Sequence, residues 1–100
     1  MTHWNTLIDA ATLAEHLGRP DWVVLDCRFD LARPDWGAAQ YAAGHLPGAR
    51  HAHLDRDLSG PVGPATGRHP LPDPAQFAAR ARARGIGPDT QVVVHDQGNG

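Results

Sequence analysis

One hundred residues carry a formal charge of −2 from nine basic and eleven acidic side chains, which leaves no electrostatic footprint for nucleic acid or an anionic membrane. Hydrophobic residues make up 41 %, many of them alanine, with only six aromatics, so the chain folds one small domain at most, around a thin core. A single cysteine excludes an internal disulfide, no apolar run approaches the roughly 20 residues of a membrane span, and Met1 to Trp4 lacks the basic-then-apolar pattern of a signal peptide; a cytoplasmic location is therefore expected.

Along the chain, Ala10, Leu13, Ala14 and Leu17 recur at helical spacing, with Asp9 placed to cap the first turn and Gly18 and Pro20 to close the segment. Val23 to Leu25 is an unbroken apolar run leading into Asp26, the pattern of a strand covered on both faces and hence of a parallel sheet. Trp36 to Ala43 is rich in helix formers, with Ala38, Tyr41 and Ala42 spaced to share a face. Gly44 is expected to supply the backbone freedom that ends this helix, and Pro47-Gly48 fits the centre of a type II turn. The chain should then re-enter the sheet near Ala49 to Ala52, completing a β–α–β unit.

Leu58 to Pro72 holds three glycines and four prolines with little periodicity, which predicts a long loop. A connection of that length in a small domain is either functional or disordered, and Asp55 and His69 at its flanks favour function. Asp73-Pro74-Ala75-Gln76 then places a capping residue, a proline at the first helical position and a glutamine three after the cap, with Gly85 just past the far end. Arg80, Arg82 and Arg84 in the closing turns read as a solvated face complementing the helix dipole. Val92 to Val94 repeats the buried-strand pattern. The alternation of strands and helices gives an α/β domain with a mainly parallel sheet. Gly98-Asn99-Gly100 follows this last strand, and the sequence stops before a helix that could confirm a phosphate-binding loop.

Two short motifs carry a family resemblance: Asp26-Cys27-Arg28 at the end of an early strand, and Gly44-His45-Leu46-Pro47-Gly48-Ala49 after the next helix. Together with Leu71-Pro72 and Val92 to Asp96, they make nearly the whole chain resemble the rhodanese family, most closely the N-terminal half of its two-domain sulfurtransferases. The resemblance implies a three-layer rhodanese-like fold. It also implies that residues 1–100 are most of a first domain, and that a second, catalytic rhodanese domain lies outside this chain. The activity implied is transfer of a sulfane sulfur from 3-mercaptopyruvate or thiosulfate to a thiol or cyanide acceptor through a cysteine persulfide, with no metal or organic cofactor. A non-catalytic module that binds a protein partner, and the phosphatase-like branch of the same fold, are the alternatives; the His-x-Leu-Pro run of residues 69–72 speaks against the second.

Cys27 is the only thiol, yet it directly follows an apolar strand and lacks the glycine-containing cradle of backbone N–H groups that activates a persulfide cysteine. It reads as passive, and the resemblance puts the nucleophile in the second domain. Asp26 and Arg28 read as structural, satisfying nearby backbone groups, and His45 as part of the turn signature. Alignment on Pro47-Gly48-Ala49 brings Asp55 and His69 onto an aspartate and a histidine that mercaptopyruvate-type enzymes are thought to place opposite the nucleophile loop. A carboxylate orients an imidazole and leaves its second nitrogen to polarise a hydroxyl or accept a proton. The competing reading makes both residues solvated loop side chains or turn caps. His51 and His53 alternate on one strand, but two imidazoles fall short of a zinc site and read as chance adjacency.

Overall fold

The structure, a computed structural model, describes residues 4–98; Met1 to His3 and the last two residues of the terminal Gly-Asn-Gly run lie outside the described residues. Helix α1 (Ala10–His16) starts at Asp9, whose carboxylate accepts the Thr12 N–H at 2.7 Å, and ends before Gly18, which turns through φ +87°. Strand β1 (Trp22–Asp26) leads to helix α2 (Trp36–Ala43) and the short strand β2 (Arg50–His51). Helix α3 (Pro74–Ala83) opens on the Asp73 carboxylate, which accepts the Gln76 N–H at 3.1 Å, and the chain closes on strand β3 (Gln91–His95).

The three strands form an open sheet in the order β2-β1-β3, with both pairings parallel. Register sets Asp26 of β1 opposite both His51 and His95, so the carboxyl ends of all three strands meet at one edge. Two further bonds lengthen that edge: the Cys27 N–H donates to the His95 carbonyl and the Ala52 N–H to the Asp26 carbonyl.

Successive β1 side chains face opposite ways. Val24, beside Val93 of β3, packs with Ala49, with Leu13 of α1 and with Leu17 just past its end. Leu25 faces the other side, where it lines a narrow crevice with Ala52 and with Phe77 and Ala81 of α3. The helices thus cover both faces, as the unbroken apolar run of β1 requires.

Four local expectations are corrected. Gly44 caps α2 at φ 177°, extended backbone open to any residue, so its conformational freedom is not what ends the helix. The fully buried residue of α2 is Gly37 instead, while Ala42 is exposed. A Cβ on Gly37 would lie 1.8 Å from the Arg28 carbonyl oxygen, which is why the helix can lie against the end of β1 only with glycine here. Val94 is 63 % exposed, because among the described residues nothing covers that part of β3. Finally, Arg80 and Arg84 are half-buried, one turn apart on a single face of α3 and turned toward Asp57; only Arg82 stands in solvent. No helix among the described residues is long and apolar enough to cross a membrane.

Candidate active site

Asp26, 0 % exposed, ends β1 as a buried carboxylate. Arg28 satisfies it: its backbone N–H reaches Oδ1 at 3.0 Å, Nε lies 2.9 Å from Oδ2, and Nη2 lies 2.6 Å from Oδ2. The same Nη2 donates to the Gly44 carbonyl at 2.8 Å, so the guanidinium ties the end of β1 to the end of α2. Burial alone would raise the Asp26 pKa, but the hydrogen bonds and charge of Arg28 outweigh it and hold the carboxyl below its ordinary value. His45 stacks on Tyr41 at 3.7 Å between ring centroids, with Nδ1 2.7 Å from the Tyr41 carbonyl, and the Tyr41 hydroxyl donates to the Ala49 carbonyl. These contacts brace the reversal from α2 into β2.

Cys27 is half-buried, with Sγ 4.0 Å from the Leu25 carbonyl. Burial, and then the carboxylates of Asp26 and Asp96, push its thiol pKa up, opposite to what a nucleophile needs.

Beyond β2, the residues from His53 to Leu58 form a tight turn. The His53 carbonyl accepts the N–H of Asp57 at 2.8 Å and of Leu58 at 3.2 Å, and Asp57 Oδ2 accepts the His53 N–H at 2.7 Å. Arg84, the residue that caps the end of α3, holds Asp57 from behind at 2.8 Å. The proline-rich loop then departs and returns. Its base is closed by the Gly60 N–H donating to the Pro70 carbonyl at 2.9 Å, and Gly60 permits this approach because a Cβ there would meet the Leu71 carbonyl oxygen at 2.8 Å.

That closure delivers His69 to Asp55, with Nε2 2.8 Å from Oδ1. A carboxylate oxygen only accepts, so Nε2 carries the proton and donates, which leaves Nδ1 as the open nitrogen. Nδ1 of His69 makes no hydrogen bond among the described residues. Phe29 sets its ring edge-on to His69 at 6.0 Å and to His53 at 5.4 Å. The Gln97 amide fixes Phe29 in turn, donating to its carbonyl at 2.7 Å and accepting its N–H at 3.3 Å. The pair therefore lies on the connection that follows β2, next to Phe29 from the segment after β1, which Gln97 from the segment after β3 holds in place.

The structure brings Asp55 and His69 together and, separately, gathers Asp26 and Arg28 against Gly44. His45 lies with neither. His53, dismissed above together with His51, is the residue that sequence reasoning passed over: it is 3 % exposed and bonded at both ring nitrogens. Its signal was the Asp57 four residues on, a polar pair at the spacing of a turn cap. No group of three or more metal-ligating side chains occurs among the described residues.

A parallel α/β sheet with polar side chains collected beyond the carboxyl ends of its strands is the architecture in which such proteins receive small ligands. Sequence comparison gives the class a narrower identity. The profile of the rhodanese-like domain matches residues 9–100, and the chain belongs to that family. It is 53 % identical over 95 residues to a probable 3-mercaptopyruvate sulfurtransferase of Pseudomonas aeruginosa, covering 94 % of this chain and 34 % of that protein. A putative thiosulfate sulfurtransferase of Mycobacterium tuberculosis is 46 % identical over 96 residues, with 95 % of this chain and 34 % of that protein covered. The solved structure of 3-mercaptopyruvate sulfurtransferase from Leishmania major superposes with a TM-score of 0.80 at 36 % identity, over 89 % of this chain and 24 % of that one. The chain thus spans about a third of the length of the curated relatives it matches.

Proposed function

We propose that the protein carrying this chain is a sulfurtransferase of tandem rhodanese-like domains, that residues 1–100 form most of the first, and that a cysteine outside the chain carries the sulfur. The donor is 3-mercaptopyruvate or thiosulfate and the acceptor a thiol or cyanide, in the cytoplasm. The observation that carries the reading is the Asp55–His69 hydrogen bond of 2.8 Å on the connection that follows β2, in a chain whose sole thiol is held in its unreactive form. The names of the relatives support the same chemistry.

In this mechanism the cysteine thiolate attacks the donor's transferable sulfur. With 3-mercaptopyruvate the carbon–sulfur bond breaks, and its electron pair leaves on carbon as the enolate of pyruvate, which takes up a proton. With thiosulfate the sulfur–sulfur bond breaks and sulfite departs. The acceptor then attacks the outer sulfur of the persulfide and returns the thiolate. His69, oriented through Nε2 by Asp55, keeps Nδ1 open to polarise a hydroxyl or hold the moving proton, while Asp26, Arg28 and His45 hold the scaffold. Such a two-stage route predicts ping-pong kinetics.

The test is thiocyanate formation from 3-mercaptopyruvate and cyanide by the full-length protein. His69→Ala should lower kcat by on the order of 10²- to 10⁴-fold, the range for a positioned acid–base group; unchanged turnover removes His69 from the mechanism. Full-length protein with no turnover on either donor would instead leave a non-catalytic, partner-binding module.

A further inference from the structure

We propose that His53 is a positioning residue for the Asp55–His69 pair, an inference that rests on the sulfurtransferase reading for its catalytic consequence and on geometry alone for its structural one. The His53 ring lies between three segments. Nε2 is 2.9 Å from the Pro34 carbonyl, just before α2, and a carbonyl only accepts, so this nitrogen carries the ring proton. Nδ1 is therefore an acceptor, and two backbone donors converge on it: the N–H of Asp55 at 3.1 Å and of Arg56 at 3.4 Å.

Those bonds make His53 the cap of the turn that carries Asp55. They run from the cap side chain to the N–H groups two and three residues on, while the Asp57 carboxylate reaches back to the His53 N–H at 2.7 Å, a reciprocal arrangement like a helix capping box. The site side of the turn is thereby fixed to Pro34. Its other side is fixed to α3 through the Arg84–Asp57 ion pair at 2.8 Å. Phe29, edge-on to both His53 and His69, completes the brace from the end of β1. Asp55 itself is exposed, and among the described residues the only hydrogen bond its backbone N–H makes is to His53 Nδ1, so the direction in which its carboxylate points depends on that ring.

Two amides separate the two nitrogens of the imidazole. In His53→Asn the side-chain oxygen stands near the Nδ1 position and keeps the acceptor for Asp55 and Arg56, but loses the bond to Pro34. In His53→Gln the amide nitrogen stands near Nε2 and keeps the bond to Pro34, but loses the acceptor. In the full-length protein, kcat for 3-mercaptopyruvate and cyanide should stay within about threefold of the parent in His53→Asn. It should fall on the order of 10- to 100-fold in His53→Gln with KM little changed, the scale of a reacting group misplaced by an ångström. Equal kcat in the two variants, or a larger loss in the asparagine variant, overturns the proposal.

Nitrogen-15 spectra of histidine-labelled protein give a readout independent of turnover. The hydrogen-bonded Nε2–H of His69, assigned by its loss in His69→Gln, should persist in His53→Asn and vanish in His53→Gln; its persistence in both overturns the proposal. A silent His69→Ala variant in the kinetic assay, with the spectra behaving as expected, would sink the catalytic reading and leave the positioning intact. Should the glutamine variant not fold, hydrogen exchange in the unaltered protein decides: the Asp55 and Arg56 amides should exchange more slowly than that of Leu54, and equal rates overturn the proposal.

Discussion

Replacing Gly37 by alanine should destabilise the protein by about 2–4 kcal/mol, whereas alanine at an exposed helical glycine normally stabilises by about 1 kcal/mol. The reversal of sign comes from the packing of α2 on the end of β1. The added methyl carbon would lie 1.8 Å from the Arg28 carbonyl oxygen and 2.7 Å from its carbon, against an ordinary contact of 3.4–4 Å, so the backbones must part by about 1.6 Å. Both colliding partners are main chain, and no rotamer relieves the clash. Overpacking of this kind costs about 1–3 kcal/mol. Displacing Arg28 also strains its bonds to Asp26, charge-assisted contacts worth about 1.5–3 kcal/mol each, and the gain in helix propensity offsets part of the sum. Urea titration followed by circular dichroism measures the difference. Gly44→Ala is the matched control: its φ is 177°, a Cβ there meets nothing within 4 Å, and its stability should stay within about 0.5 kcal/mol of the parent. A Gly37→Ala protein as stable as the parent, or more so, would refute the account of how α2 meets the sheet.

Removing the guanidinium in Arg28→Met leaves the Asp26 carboxylate buried without its partner and should cost about 3–5 kcal/mol near pH 7, read from the urea midpoint. Because the Asp26 pKa is lowered by folding, the folded chain takes up that proton less readily than the unfolded one. The pair's contribution is therefore complete above about pH 4 and is lost as pH falls through the lowered value. The loss of stability between about pH 6 and pH 3 should be smaller in Arg28→Met than in the parent, and an equal loss would show that other carboxyls carry it. Iodoacetamide should alkylate Cys27 several-fold more slowly in the folded chain than in urea at about pH 8, as a raised thiol pKa requires; equal rates would contradict it. In the full-length protein Cys27→Ser should leave thiocyanate formation within about twofold of the parent, and residues 1–100 alone should form none.

Where local chemistry sets local structure, the residues announced the result. Asp73-Pro74 with Gln76 marks the start of α3, the Trp36–Ala43 limits of α2 match its helix formers, and Pro47-Gly48 makes the expected reversal, with Gly48 at φ +76°. What escaped depends on partners distant in sequence. The tight spot on α2 is Gly37 rather than Gly44 because Arg28 comes to lie beneath it, and no periodicity within the helix encodes that. Val94 reads as interior by composition, and among the described residues nothing covers that part of β3. Arg80 and Arg84 look solvated until Asp57 is placed beside them. Family resemblance singled out Asp55 and His69 as candidates, and they lie 2.8 Å apart across fourteen residues; His53 was only half declared, because Asp57 four residues on marks its turn while nothing local marks its bond to Pro34.

The bond between Gly60 and Pro70 divides the long loop into a fixed base and a free bight. His69 sits at the fixed base, immediately before Pro70, whereas Gly63 to Gly67 mostly bond among themselves in a small turn of their own. The bight can therefore be lengthened, shortened or decorated without moving the imidazole, and an epitope or fluorophore spliced in at Ala65 should leave the Asp55–His69 bond intact. The bight's freedom to vary and the imidazole's fixed place are, in this segment, separated by a single main-chain contact.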